Sequence, residues 1–167
     1  MNKLIATNPH NYLALVARLA LGVVVFAHGA QKLFGWFGGP GFSGSMGFLT
    51  GKAHLPYIIA LLVIIIECIG ALALIFGFLT RLAALAVIID FVGIVIFSQA
   101  YNSFFMNWYR QPNVGEGLEY FILLFGLAIV CLIAGGGKAS VDSALQKSYT
   151  SNHTNIHDSN ENAVRIT

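Results

Sequence analysis

Arg18, Glu67 and Asp90 each fall deep inside a long apolar run of this sequence, and His28, Lys32, Glu116 and Glu119 fall nearer the ends of such runs. These are groups that move protons, donate or accept hydrogen bonds, or hold a polar headgroup. Their position is costly. A charged side chain at the centre of a membrane helix costs about 2.5–3.5 kcal/mol to insert, whereas each Leu, Ile, Phe or Val returns roughly 0.3–0.6 kcal/mol. Such residues persist by facing one another inside a bundle, and by default they mark a functional site. The chemistry they suggest is the binding of a polar headgroup or the passage of protons; fixing helix register is the plainer alternative.

Cys68 and Cys131 also lie in apolar runs, and neither takes part in a CxxC or Cys/His spacing that would hold a metal. Packing is the expected role of both, and no metal site is expected.

The elements that must position these groups follow from composition. Of 167 residues, 57% are hydrophobic and 10% charged, with a mean hydropathy of +0.76; soluble domains carry roughly 25% charged residues. A water-soluble chain is therefore excluded. The net charge of +2 is small and its positive residues are scattered, which argues against a nucleic-acid partner.

Spanning about 30 Å of hydrocarbon takes roughly 20 helical residues. Four segments meet that length, approximately Asn11 to Phe34, Leu55 to Gly77, Leu82 to Tyr101 and Gly115 to Ala134. The first carries Arg18 in its middle and lacks a small-residue cleavage site, so it reads as a retained helix and not a secretory signal. The predicted fold is all-α: an integral membrane four-helix bundle, antiparallel and up-down-up-down, over residues 1–145. Residues 146–167 are polar and rich in Asn, Ser and His, which predicts a disordered tail.

The first connection combines many glycines with Trp36, Phe37, Phe42 and Phe48, and suits a re-entrant loop or a short amphipathic turn. The third connection adds Phe104, Phe105, Trp108 and Tyr109. With four spans both emerge on one side, forming an aromatic belt with Trp36 and Trp108 near the entrance to the bundle. Lys3, Arg81, Lys138 and Lys147 lie on the side of the termini, against Lys32, Lys52 and Arg110 on the aromatic side. That balance favours both termini in the cytoplasm.

Helical spacing assigns faces. Arg18, Gly22, Val25, Gly29 and Lys32 form one stripe; Ala60, Glu67, Gly70 and Ala71 form a second; Ala83, Ala86, Asp90 and Gly93 form a third. Small residues beside a charge mark the side where membrane helices touch, so the acids should point inward. The same stripes suit an intramolecular bundle or a homo-oligomer. Two polar layers are expected, Arg18 with Glu67 and Asp90 in the centre, and His28 with Lys32 facing Glu116 and Glu119 toward the aromatic side. A lone positive charge against two acids would leave the central layer negative.

The runs ARLALGVVVFAHGAQKLFGWFGGPG, IIIECIGALALIFGFLTRLAAL and GEGLEYFILLFGLAIVCLIAGGGKASVD resemble the DoxX family of small four-helix bacterial membrane proteins. The resemblance extends from about Leu13 to Leu145, and the HGxxKLFG element at His28 to Gly35 and the Gly-x-x-Thr-Arg element at Gly77 to Arg81 are its most specific parts. It implies a multi-pass protein of the bacterial inner membrane. Relatives include the small subunit of a thiosulfate:quinone oxidoreductase and membrane partners of redox and thiol-stress proteins, which implies a redox protein partner and a quinone ligand. A quinone ring stacks on aromatic side chains and needs hydrogen-bonding groups at its oxygens; Arg18, His28, Glu67 and Asp90 are suited to this. No haem, flavin or iron–sulfur pattern appears in the sequence. The competing expectation is a non-catalytic membrane scaffold that recruits a redox or thiol-stress enzyme.

Overall fold

Asn11 begins the first long helix by accepting a hydrogen bond from the Ala14 N–H at 3.0 Å, which satisfies one of the free donors at a helix start. This helix, α1 (Tyr12–Phe34), ends at Gly35, whose φ of 73° lies in the left-handed region that glycine adopts without strain. The computed structural model describes residues 4–99, 104–107 and 117–150. Among these residues every regular element is helical.

A short helix, α2 (Gly41–Gly47), continues into a widened π turn at Phe48–Lys52 and folds back on the end of α1. Met46 buries itself there with Ala60 and Ile64, and the Ser45 hydroxyl donates to the Lys32 carbonyl at 3.1 Å. The first connection is thus a packed helical flap.

The second long rod, α3 (Tyr57–Phe76), starts directly after Pro56 and is interrupted by one π turn at Ile66–Gly70. Gly77 closes it at φ 67°, and α4 (Thr80–Phe97) begins after only Gly77, Phe78 and Leu79. A turn this short returns the chain alongside itself. The last long helix, α5 (Leu118–Ala134), is followed by a glycine turn and a further helical stretch at 141–150. That stretch carries helix into the region where the polar tail was expected to start; residues 151–167 lie outside the described residues.

Three of these helices, α1, α3 and α4, are long and apolar enough to cross a membrane, and α5 is a shorter apolar helix of 17 residues. At about 1.5 Å per residue α5 spans roughly 26 Å, the lower end of what a bilayer core requires. The four helices cover 12–34, 57–76, 80–97 and 118–134.

Most residues of the predicted stripes are buried, whereas Lys32, Gly70, Ala86 and Gly93 are half-buried. Leu21, Val25, Leu74, Val87, Phe91, Leu124 and Ala128 form a shared core of α1, α3, α4 and α5. Large apolar side chains such as Leu13, Val23, Ile58, Ile69, Ile89 and Leu123 stand exposed on the outside. A surface this apolar faces lipid. The helices meet at very short range: a Cβ on Gly29 would sit 2.4 Å from the Glu67 carbonyl oxygen, and one on Gly22 would lie 3.1 Å from that of Ala71. Gly22 thus meets the later part of α3 and Gly29 the earlier, so α1 and α3 run in opposite directions.

Candidate functional site

The close crossing of α1 and α3 brings two long charged side chains together. Lys32 Nζ donates to Glu67 Oε2 in an ion pair, with the Glu67 side chain fully buried and that of Lys32 25% exposed. Side chains on a helix lean toward its N-terminus. In an antiparallel pair, Lys32 near the end of α1 leans back toward the bundle centre and Glu67 leans out toward it. Leaning in the same direction from nearer the start of α1, Arg18 points away from the bundle centre. The expected central layer of Arg18 with Glu67 and Asp90 is therefore not what forms; Lys32 takes the place expected of Arg18.

Glu67 sits within the π turn of α3. Such turns displace one residue from the regular ladder and are frequent at functional positions. Asp90 on α4 is buried, and it and Glu67 stand at near-equal separations on either side of the Gly77–Leu79 turn, which places them at matching depth. Asp90 lies within electrostatic reach of both Glu67 and Lys32, and Tyr120 on α5 lies within reach of Glu67. The Tyr120 ring sits 5.9 Å from that of His28, centroid to centroid. His28, Lys32, Glu67, Asp90 and Tyr120 thus form one polar cluster to which α1, α3, α4 and α5 all contribute.

Three oxygens of that cluster are sealed from solvent and make no hydrogen bond: Glu67 Oε1, Asp90 Oδ2 and Tyr120 Oη. Buried polar groups are paired in the great majority of cases, so three such atoms within one cluster make it the candidate site. Tyr120 was not singled out in the sequence, where it falls inside the fourth apolar span. Its register with Leu124, Ala128 and Cys131, all buried on the inward face of α5, is the signal that could have found it.

The remaining predicted residues lie elsewhere. Glu119 accepts a hydrogen bond from the Met106 N–H at 2.9 Å and so secures the chain before α5; its carboxylate engages that segment and not Lys32. Trp36 packs on Phe26 and Phe34 of α1, half exposed. Glu116 and Trp108 lie outside the described residues. Among the described residues no cluster of His, Cys, Asp or Glu is placed to hold a metal ion, and Cys68 and Cys131 are both buried and free.

Arg18 has a site of its own at the opposite end of the α1–α3 seam. Nε donates to the Gly136 carbonyl at 2.8 Å; one terminal nitrogen donates to Leu74 at 3.2 Å and to Ile75; the other donates to Ala139 at 2.7 Å and Lys138 at 3.2 Å. A guanidinium has five N–H donors, and all are used. The carbonyls it collects lie in the last turn of α3 and the turn after α5, where the regular helical ladder ends; Leu74 also accepts from the Gly77 N–H at 3.1 Å. Asp142 completes this cap. Its carboxylate accepts from the N–H groups of Leu79 and Thr80 at 2.8 and 2.9 Å, and from the Thr80 hydroxyl at 2.7 Å. A carboxylate there also complements the positive end of α4.

The DoxX family profile matches residues 13–100, which hold α1 to α4 and with them Arg18, His28, Lys32, Glu67 and Asp90. The chain belongs to the DoxX family. No curated protein and no solved structure matches the chain. As a DoxX protein with several membrane-spanning apolar helices, it is a multi-pass membrane protein in contact with the bilayer. Tyr120 and Asp142, which complete the cluster and the Arg18 cap, lie beyond the matched stretch.

Proposed function

We propose that this DoxX protein is a redox-associated membrane subunit whose central polar cluster binds the headgroup of a lipid-soluble carrier of the quinone type. The observation that carries this reading is the set of unpartnered oxygens on Glu67, Asp90 and Tyr120 beside the Lys32–Glu67 pair, in a polar cluster drawn from four helices. The residues present fit such a headgroup. The Tyr120 and His28 rings offer faces for an aromatic ring, Lys32 has ammonium donors beyond the one given to Glu67, and the two carboxyl groups can take up or release protons at ring oxygens. The carrier itself would supply the exchange of two electrons and two protons, with the electrons passing to or from a redox protein partner. Glu67 and Asp90 would hold the protons, and the dense packing around Gly29 keeps bulk water from that side.

In the proposed arrangement the four long helices cross the bacterial inner membrane up-down-up-down, with both termini cytoplasmic. A scaffold that recruits a redox or thiol-stress enzyme is the second reading, favoured by Arg18 and Asp142, whose buried charges serve only to tie helix ends together.

The test is to purify the protein in mild detergent and measure co-extracted and added quinone by absorbance. Binding near one per chain that falls at least tenfold in Glu67→Gln and Asp90→Asn supports the reading. No binding by the folded wild-type protein refutes it in favour of the scaffold.

A further inference from the structure

The helix at 141–150 turns polar groups toward the protein and an apolar stripe away from it, the reverse of a helix packed for water. Ser140 caps its start by accepting from the Ser143 N–H at 3.1 Å. Fully buried Asp142 holds the Leu79 and Thr80 N–H groups, and Gln146, one turn later, accepts from the Thr7 N–H at 2.9 Å. Thr7 is in turn fixed at the end of α5, where its hydroxyl donates to the Ala134 carbonyl at 3.3 Å and accepts from the Gly137 N–H at 2.7 Å. Side chains one turn apart thus reach the start of α4 and the end of α5, so this helix lies across the end of the bundle.

At about 100° per residue, Val141, Leu145 and Tyr149 share one stripe, roughly a quarter-turn round from the face of Asp142 and Gln146, and that stripe points to the side of the bundle. The three side chains are 39, 43 and 49% exposed. Lys147 is exposed on the opposite flank, roughly 200° round from Leu145. Tyr12 and Leu13 on α1, Phe76 and Phe78 at the α3–α4 turn, Leu82 on α4 and Ile133 on α5 are exposed at the same end, where the lipid-facing surface of the long helices begins. Tyrosine and lysine are residues that settle where hydrocarbon meets water. Lys138, whose ammonium lies 4.1 Å from the centre of the Tyr12 ring, adds a second such pair. Among the described residues the acid at this end is Asp142, buried and bonded, so the exposed charge there is basic.

We infer that the 141–150 helix lies in the headgroup layer of the leaflet on the side of the termini, with Val141, Leu145 and Tyr149 entering the acyl boundary and Lys147 turned to the lipid phosphates. A docking face for a soluble protein would point along the bundle axis, and in that direction this helix presents Ala144 and Ser148; the apolar stripe points sideways, where the bilayer is. The helix is then an in-plane foot, separate from the Lys32–Glu67 cluster, that sets the depth at which α5 ends.

The experiment attaches a nitroxide to the full-length protein through single Leu145→Cys, Val141→Cys, Lys147→Cys or Leu13→Cys substitutions, in vesicles of phosphatidylcholine and phosphatidylglycerol; native Cys68 and Cys131 are buried. Collisions with oxygen, which concentrates in hydrocarbon, are compared with collisions with a water-soluble nickel chelate. The expected oxygen-to-nickel ratio at positions 141 and 145 approaches that at lipid-facing Leu13 and exceeds that at 147 severalfold. A ratio at 141 and 145 no higher than at 147 overturns the inference, because it puts the stripe in water. Labels at 141 and 145 shielded from both reagents overturn it too, since a second copy of the chain then covers the stripe.

Discussion

The two ends of the α1–α3 seam use buried charge in opposite ways. At one end Arg18, 1% exposed, places every guanidinium donor on a backbone carbonyl, and Asp142, fully buried, accepts from three groups at the start of α4. At the other end Glu67 and Asp90 each keep a buried oxygen without a partner. A saturated network is closed, since there is no bond left for a ligand to make. An unsaturated one holds stability in reserve, because a bound molecule completes bonds that the fold leaves open. Burial and charge are alike at the two ends, so burial of a charge does not by itself mark a ligand site; the state of its hydrogen bonds separates lock from receptor.

The sharpest way to break this comparison is Arg18→Met. It strips five carbonyls of their donor where neither lipid nor helix can replace it, and stability in detergent should fall by about 3 kcal/mol or more, given about 1–3 kcal/mol for each buried group left unpaired. Thermal unfolding followed by circular dichroism measures this; a melting curve like that of the wild type would remove the lock. Gly29→Ala comes next. The added Cβ meets the Glu67 carbonyl, and relief requires α1 and α3 to part, at about 1–3 kcal/mol. Because the same shift separates Lys32 from Glu67, ligand binding should weaken along with the melting temperature. Binding kept at full strength would show that the close approach does not position the site.

Asp142→Asn replaces one acceptor facing the Thr80 N–H by an amide donor, and its expected cost is about 1–2 kcal/mol, the range of a lost helix cap. Ligand affinity should not change, since the cap lies at the far end of the seam. The smallest effect belongs to the cluster. Asp90→Asn and Tyr120→Phe alter groups with an unpartnered atom, and stability should move by no more than about 0.5 kcal/mol, or rise, while ligand binding falls. A large loss of stability from either change would show that the cluster is a second lock, and the comparison would dissolve.

Much of this was readable from the sequence because lipid makes the code simple. Apolar runs interrupted by few charges foretold the long helices, and Gly22, Gly29 and Ala71 beside charged residues foretold which faces touch. The inward direction of Glu67 and Asp90 followed from the cost of any other direction. Which charges meet did not follow. Arg18 and Lys32 lie on one stripe of α1, about four turns apart, and the spacing treats them alike. Only the lean of side chains in an antiparallel pair, acting through a crossing at Gly29, sends Lys32 to Glu67 and Arg18 to the carbonyls of the far end. Asp142 and the turn after α5 were invisible as its partners, since backbone carbonyls carry no residue identity.

What the sequence determined by itself is that this chain lives in a bilayer as packed helices with ionisable groups turned inward, because transfer free energies depend on residue type and hardly at all on neighbours. What the tertiary structure alone decided is the pairing: Lys32 with Glu67, Arg18 with five carbonyls, Tyr120 brought beside His28, and three oxygens left open. Hydrogen bonds form over about 3 Å and in particular directions, so their partners are chosen by the angle and depth at which helices cross, quantities that exist only once the chain has folded.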